Sequence, residues 1–328
     1  MYRTFNQRGD IALEKARESI LLNCKDNNDV SKALRYFSKV TFQNALPVFP
    51  ALISLACEAV GGNPKKTMPF AEAIVLITGA ADLHDDVIDK TFRKGANLTV
   101  MGKFGAPATI LAGDILLSQG MTKICKESAR IKTEKGDLIT NLLMEAILEI
   151  CNAETSETQL IKRHFNLSPN DYYLVIRHKA VVPELAMKIG AILGNGSPRS
   201  VESLGQFGRT FGVVSIIVEE FTDILDENEL RNRIENGCLP LPLIYALQAT
   251  KTKKVLLPML GRLSDKEVHN RVIETVVSCS EVQDFVKKNL ALSINRELLE
   301  IRKLAIRKTK GEIETLLLSL LDYLNDFF

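Results

Sequence analysis

AIVLITGAADLHDDVIDKTFRKG, residues 73–95, runs from an unbroken apolar stretch into four aspartates and then a basic pair. At about 100° per residue, Asp85 and Asp89 lie only 40° apart around a helix axis, with Asp86 close by and Asp82 in the same arc. Carboxylates at such spacings repel one another, and at the C-terminal end of a helix the dipole disfavours them further. A cation has to neutralise them. Mg²⁺ is the natural candidate, because it takes oxygen ligands, keeps several waters and favours phosphate co-ligands. His84, a nitrogen donor beside hard oxygen ligands, reads as a packing or hydrogen-bonding residue.

A second stretch repeats the arrangement. FGRTFGVVSIIVEEFTDILDENEL, residues 207–230, passes from an apolar run to Glu219, Glu220 and Asp223, which have the spacing of Asp85, Asp86 and Asp89. Glu219, Asp223 and Glu227 also form an i, i+4, i+8 stripe. The expected metal ligands are therefore Asp85, Asp86, Asp89, Glu219, Glu220, Asp223 and Glu227. Arg93 and Lys94, just after the first cluster, and Lys179 in YYLVIRHKAVVPELA are the cations expected on a diphosphate. Pro183 cannot donate to the carbonyl of Lys179, so a bend is expected beside that lysine.

Elsewhere the apolar residues recur at helical spacing, and no alternating run flanked by hairpin turns stands out. Pro47, Pro50, and the segments GGNP (61–64), RKGAN (93–97), SPND (168–171), GNGSP (194–198) and NGCLPLP (236–242) punctuate the chain. The expectation is an all-α bundle of about ten helices in one domain, residues 1–328, since no linker-like segment divides it. The 328 residues are 46% apolar, ample for a large core, and carry a net charge of only +2, which does not suggest a nucleic-acid footprint. The locally basic stretch from Arg296 to Lys310 also holds Glu297 and Glu300 and reads as a solvated helix face. Six dispersed cysteines argue for buried thiols in a reducing cytoplasm rather than a disulfide or zinc framework. Charges interrupt the N-terminal segment and no run of about 18 uninterrupted apolar residues occurs, so neither a signal peptide nor a membrane span is expected.

These segments resemble the trans-isoprenyl diphosphate synthases, the all-α class I isoprenoid synthases. LHDDVIDKTFRKG resembles the first aspartate-rich motif of that family, KFGAPATILAGDILL the following helix, YYLVIRHKA the lysine segment and FGRTFGVVSIIVEEFTDILD the second acidic region. The resemblance implies a bundle around a deep cavity, with Mg²⁺ held by two facing acidic helices. It also implies ionisation of an allylic prenyl diphosphate, with Asp85, Asp86 and Lys179 as catalytic residues, and a homodimer. Ile77, Ala80 and Ala81, near the base of the first motif, take the positions that set chain length. Small residues there imply a long C20–C25 substrate.

The departures from the family pattern are concentrated at the second substrate. Leu46 and Phe49 stand where the lysine and arginine of the isopentenyl diphosphate site belong, and Thr78 stands where its histidine does. Each missing charge-assisted hydrogen bond forfeits roughly 1.5–3 kcal/mol. The primary expectation is therefore a terpene-synthase-like enzyme, quenching the cation by cyclisation, elimination or water capture. Two alternatives are a chain-elongating prenyltransferase with an acceptor site rebuilt from residues such as Arg231 and Arg233, and a non-catalytic partner of an active synthase.

Overall fold

A computed structural model describes residues 1–22, 24–42, 45–161, 164–303 and 309–328. Sixteen α-helices follow one another in these residues. They are α1 (Tyr2–Leu22), α2 (Asp29–Val40), α3 (Val48–Ala59), α4 (Met68–Ile88), α5 (Val100–Ser128), α6 (Thr133–Ile161), α7 (Pro169–Lys179) and α8 (Val181–Leu193), then α9 (Pro198–Leu225), α10 (Glu227–Asn236), α11 (Leu241–Ala246), α12 (Thr250–Leu260), α13 (Lys266–Val277), α14 (Ser280–Asp284), α15 (Ala291–Lys303) and α16 (Lys310–Asn325). The all-α expectation is met, with more and shorter helices than the breakers alone suggest. A hairpin of β1 (Arg93–Lys94) and β2 (Asn97–Leu98) is the exception. Its strands are too short to leave a periodic pattern, and Gly95, at φ 57°, supplies the positive-φ position that a two-residue loop requires.

Contacts group the chain into two compact units that alternate along the sequence. The first comprises residues 1–143 and 185–204 with a short piece near 306–309. The second comprises 144–184, 205–305 and 310–328.

In the first unit α4 packs along α5, and Leu76, Ala80 and Leu83 are buried with Ile20, Phe37 and Leu116. Close approach depends on glycine: a Cβ on Gly120 of α5 would stand 2.5 Å from Ile77 Cγ1, and one on Gly113 would stand 2.4 Å from His84 Nε2. Thr99 accepts the Gly102 N–H and so starts α5. By length and composition α5 could cross a membrane, which a search for uninterrupted apolar runs passes over. It is bent at Gly105, ahead of Pro107, and packs against α2 and α4.

In the second unit the α7–α8 segment is interrupted at Ala180, at the position expected from Pro183. Gly208 and Gly212 of α9 lie against Pro183 and Ala180, where a Cβ would come within 3 Å of either. α10 begins at Asp226, which accepts from Asn228 and Glu229 N–H, and ends at Gly237 in the left-handed region. The basic stretch in α15 is paired: Arg296 lies 3.6 Å from Glu297, and Arg302 3.3 Å from Glu314. Residues 304–308 of that stretch lie outside the described residues.

Candidate active site

The last two turns of α4 carry the first acidic cluster. Asp89 ends the helix, its N–H bonded to the Asp85 carbonyl. The β1–β2 hairpin folds Lys94 back over α4, so that its ammonium lies 2.5 Å from Asp82 and 2.9 Å from Asp86. Asp86 is buried, and burial pushes its pKa up to about 6; Lys94 opposes the shift while Asp82 and Asp85 add to it. Burial alone would lower the Lys94 pKa, but the two aspartates raise it and hold the ammonium protonated. Arg93 is exposed and donates to the Ala96 carbonyl at 2.8 Å. His84 turns to α5, 3.3 Å from Asp114 and 3.4 Å from the Ile110 carbonyl, in keeping with a packing role.

Thr78, Ala81, Asp85 and Asp89 fall within an arc of about 80° on α4. The three chain-length positions divide across this arc. Ala81 is exposed on the same face as the aspartates, whereas Ile77 and Ala80 are buried, Ile77 against Gly120 and Ala80 in the α1–α2–α5 core. Counting back from an aspartate cannot tell a helix's cavity side from its core side. Leu46 and Phe49 are half-buried at the start of α3, and the Thr78 hydroxyl donates to the Ile74 carbonyl at 2.9 Å.

The second cluster is organised around Arg233. Glu220, only 4% exposed, receives Arg233 Nη2 at 2.7 Å and the Leu241 N–H at 2.6 Å, and the Tyr172 hydroxyl lies 3.1 Å away. Arg233 also pairs with Asp223, donates to Tyr172 at 3.1 Å and to the Cys238 carbonyl at 2.8 Å. Arg231 pairs with Glu227 on α10. Glu219 reaches solvent, yet crowding by the protein raises its pKa to about 7, with repulsion from Asp223 and Glu220 next and Arg233 opposing. Lys179 is half-buried and held by Glu154 at 3.1 Å and by Glu157.

The donor chemistry of the two clusters differs. Mg²⁺ sites use one or two carboxylates completed by water and substrate phosphates, and Asp85 with Asp89 on one face fits that description. Among the described residues no three acidic, imidazole or thiol side chains close on one point. In the second cluster Arg233 pairs with both the buried Glu220 and the half-buried Asp223, an arrangement that the acid-acid-x-x-acid spacing does not reveal. The only signal in the sequence is an arginine ten residues after Asp223, inside the helix that Asp226 caps.

Residues 32–277 match the model of the polyprenyl synthetases. The chain belongs to the polyprenyl synthetase family. Among similar polyprenyl synthetases, a geranylgeranyl diphosphate synthase of Methanosarcina mazei is 29% identical over 283 residues, covering 84% of this chain and 83% of the relative. A short chain isoprenyl diphosphate synthase of Methanothermobacter thermautotrophicus is 27% identical over 271 residues, 79% of each chain. In three dimensions the chain resembles the geranylgeranyl pyrophosphate synthetase of Pyrococcus horikoshii, with a TM-score of 0.83, 23% identity and 98% of each chain covered. It also resembles a polyprenyl synthase of Caulobacter crescentus, solved with calcium and isoprenyl diphosphate, with a TM-score of 0.80, 16% identity, and 98% of this chain and 97% of that one covered. This polyprenyl synthetase is thus a class I isoprenoid enzyme of the prenyl diphosphate synthase type. Its relatives support prenyl transfer over the terpene-synthase-like outcome that the substituted acceptor positions suggest.

Proposed function

We propose that the protein is a Mg²⁺-dependent prenyltransferase that extends a long all-trans allylic diphosphate by isopentenyl units. The observation that carries this is the α4 stripe, which sets the exposed Ala81 on the same face as the half-buried Asp85 and Asp89. In this reading Asp85 and Asp89 hold the metal, whose charge, when it is bound, assists departure of the diphosphate. Lys94 and Arg93 supply further positive charge to that group, Lys94 by exchanging its present carboxylate partners for phosphate oxygens. The allylic C–O bond breaks with its electron pair leaving on diphosphate. The double bond of the acceptor then forms the new C–C bond, and a proton is lost. Small Ala81 leaves room for a C20–C25 chain.

Asp86, buried against Lys94, orients that lysine, and Glu220 serves as scaffold through Arg233. Both are positioning residues in this assignment. Arg233 is fully engaged, so rebuilding the acceptor site from it requires release of Glu220 and Asp223.

A second reading, cation quenching without an acceptor, is favoured by one observation: Leu46, Phe49 and Thr78 offer no charged donor, and Thr78 already bonds to its own helix. One experiment separates the two. Purified protein with Mg²⁺ and labelled geranylgeranyl diphosphate is followed with and without isopentenyl diphosphate. Elongation only in its presence is the expected outcome; a hydrocarbon or alcohol formed in its absence overturns elongation in favour of the second reading. Turnover in neither arm points to a non-catalytic partner.

The exposed apolar residues Ile110, Leu111 and Ile115 on α5 support a homodimer with a second copy on that face. Cys24, Cys57 and Cys279 are buried thiols, which suits a reducing, cytoplasmic setting.

A further inference from the structure

At the end of α4 remote from the aspartates lies a cavity of about 440 Å³, lined by residues of the first unit. Fifteen residues separate Phe70 from Asp85, about 22 Å along a helix axis. Five cations line the cavity: Lys65 and Lys66 in the turn before α4, Arg130 and Lys132 between α5 and α6, and Lys135 in α6. One carboxylate answers them. Glu127 accepts from Arg130 at 2.6 Å, and Lys135 is bonded to the neutral side chain of Asn195. Lys65, Lys66 and Lys132 are exposed and have no carboxylate partner among the described residues.

Cations gathered at a concave site repel one another, and here they also stand near the starts of α4 and α6, the positive ends of both dipoles. A bound anion relieves that repulsion. Phe70, Ile131 and Leu193 add an apolar wall, and the volume is that of a small-molecule site. An extended nucleic-acid surface is a poor match, since the chain's net charge is only +2.

We propose that this cavity is a second, metal-independent anion site that binds a phosphate-bearing amphiphile, a short prenyl diphosphate in the first instance. The lysines hold the headgroup and the Phe70–Ile131–Leu193 wall receives the start of the tail. The choice of a prenyl tail rests on the activity proposed above; the phosphate site does not. Because α4 carries this cavity at one end and Asp85 at the other, occupancy bears on the same helix that the reaction uses.

The test is calorimetric titration of the full chain in excess EDTA. The probes are inorganic diphosphate, geranyl thiolodiphosphate, and vesicles of phosphatidylcholine with phosphatidylglycerol. The expected result is one-to-one binding of geranyl thiolodiphosphate, at least fivefold tighter than inorganic diphosphate and weakened by added salt. Lys65→Ala/Lys66→Ala/Lys132→Ala should weaken it at least tenfold, and Asp85→Asn/Asp89→Asn should leave it within twofold. Lys66→Glu alone is the second variant should the triple change impair folding, and it should weaken binding at least threefold. Absence of metal-free binding, or unchanged affinity in the lysine variants, overturns the site. Equal affinity for inorganic diphosphate overturns the amphiphile, and binding to vesicles alone reassigns the patch to a membrane surface. Binding without elongation would refute only the activity proposed above.

Discussion

Arg233 donates to the buried carboxylate of Glu220 at 2.7 Å and also pairs with Asp223, so the second acidic cluster contains its own counter-cation. Here Glu220 has three donors around it, and removing the arginine strands a charge in the interior.

Arg233→Gln is therefore expected to destabilise the fold by about 3–5 kcal/mol, the usual consequence of breaking one side of a buried ion pair. Glu220→Gln combined with Arg233→Met should recover part of that loss, because the buried position is then neutral and only the half-buried Asp223 loses its arginine. Denaturant unfolding of the single and double variants checks this, and an unchanged midpoint for Arg233→Gln would contradict the assignment.

Asp85→Asn with Asp89→Asn should lower turnover by about 100-fold or more while leaving circular dichroism and melting behaviour close to wild type. The changes remove charge from one face of α4 without disturbing its packed side. Wild-type rates in this variant would remove Asp85 and Asp89 from the chemistry.

Phenylalanine at Ala81 and at Ala80 should behave differently, because the two side chains leave α4 about 100° apart, Ala80 buried and Ala81 exposed. Ala81→Phe is expected to shorten the product distribution with little change in stability. Ala80→Phe overfills the α1–α2–α5 core and should cost about 1–3 kcal/mol. Product chromatography and thermal unfolding of both variants distinguish them; an unaltered chain-length profile in Ala81→Phe places the end of the cavity elsewhere.

The link between acid and stability is readable at Glu149. Burial would raise its pKa, but hydrogen bonds from Arg209 at 2.6 and 3.0 Å and from His178 at 2.9 Å outweigh that and hold it below the ordinary glutamate value of 4.5. A carboxylate with a depressed folded-state pKa stabilises the fold above its unfolded pKa, and the contribution fades as pH falls through the folded value. Glu149→Gln should thus melt below wild type at pH 7, with the gap closing below about pH 4.5 as both forms become neutral at this position. A gap that is constant from pH 7 to pH 3.5 would show that the pairing with Arg209 carries no charge-dependent stability.

The helix ending at Asp89, the hydrogen-bonding role of His84 and the interruption beside Lys179 could all be read from the chain, because each follows from local spacing or from proline's missing N–H. The two-residue hairpin that carries Lys94 to Asp82 and Asp86 could not. Its strands are too short for a period, and the ion pairs it creates join residues that only a reversed chain brings together. The same holds for Glu154 and Glu157 around Lys179: a lysine expected to meet phosphate is already held by two acids from the preceding long helix.

Local chemistry thus determined an all-α chain with acids clustered toward the ends of two apolar helices and no charged residue at Leu46, Phe49 or Thr78, while the resemblance of its motifs implied the polyprenyl synthetases. The tertiary structure alone decided which of those acids Lys94 and Arg233 hold, and which alanine faces the aspartate side of α4. Spacing fixes the angle between neighbouring side chains on one helix. What occupies the space beyond each of them is set by how the chain folds back after the helix, and it was there that Arg233 took Glu220 and Lys94 took Asp86.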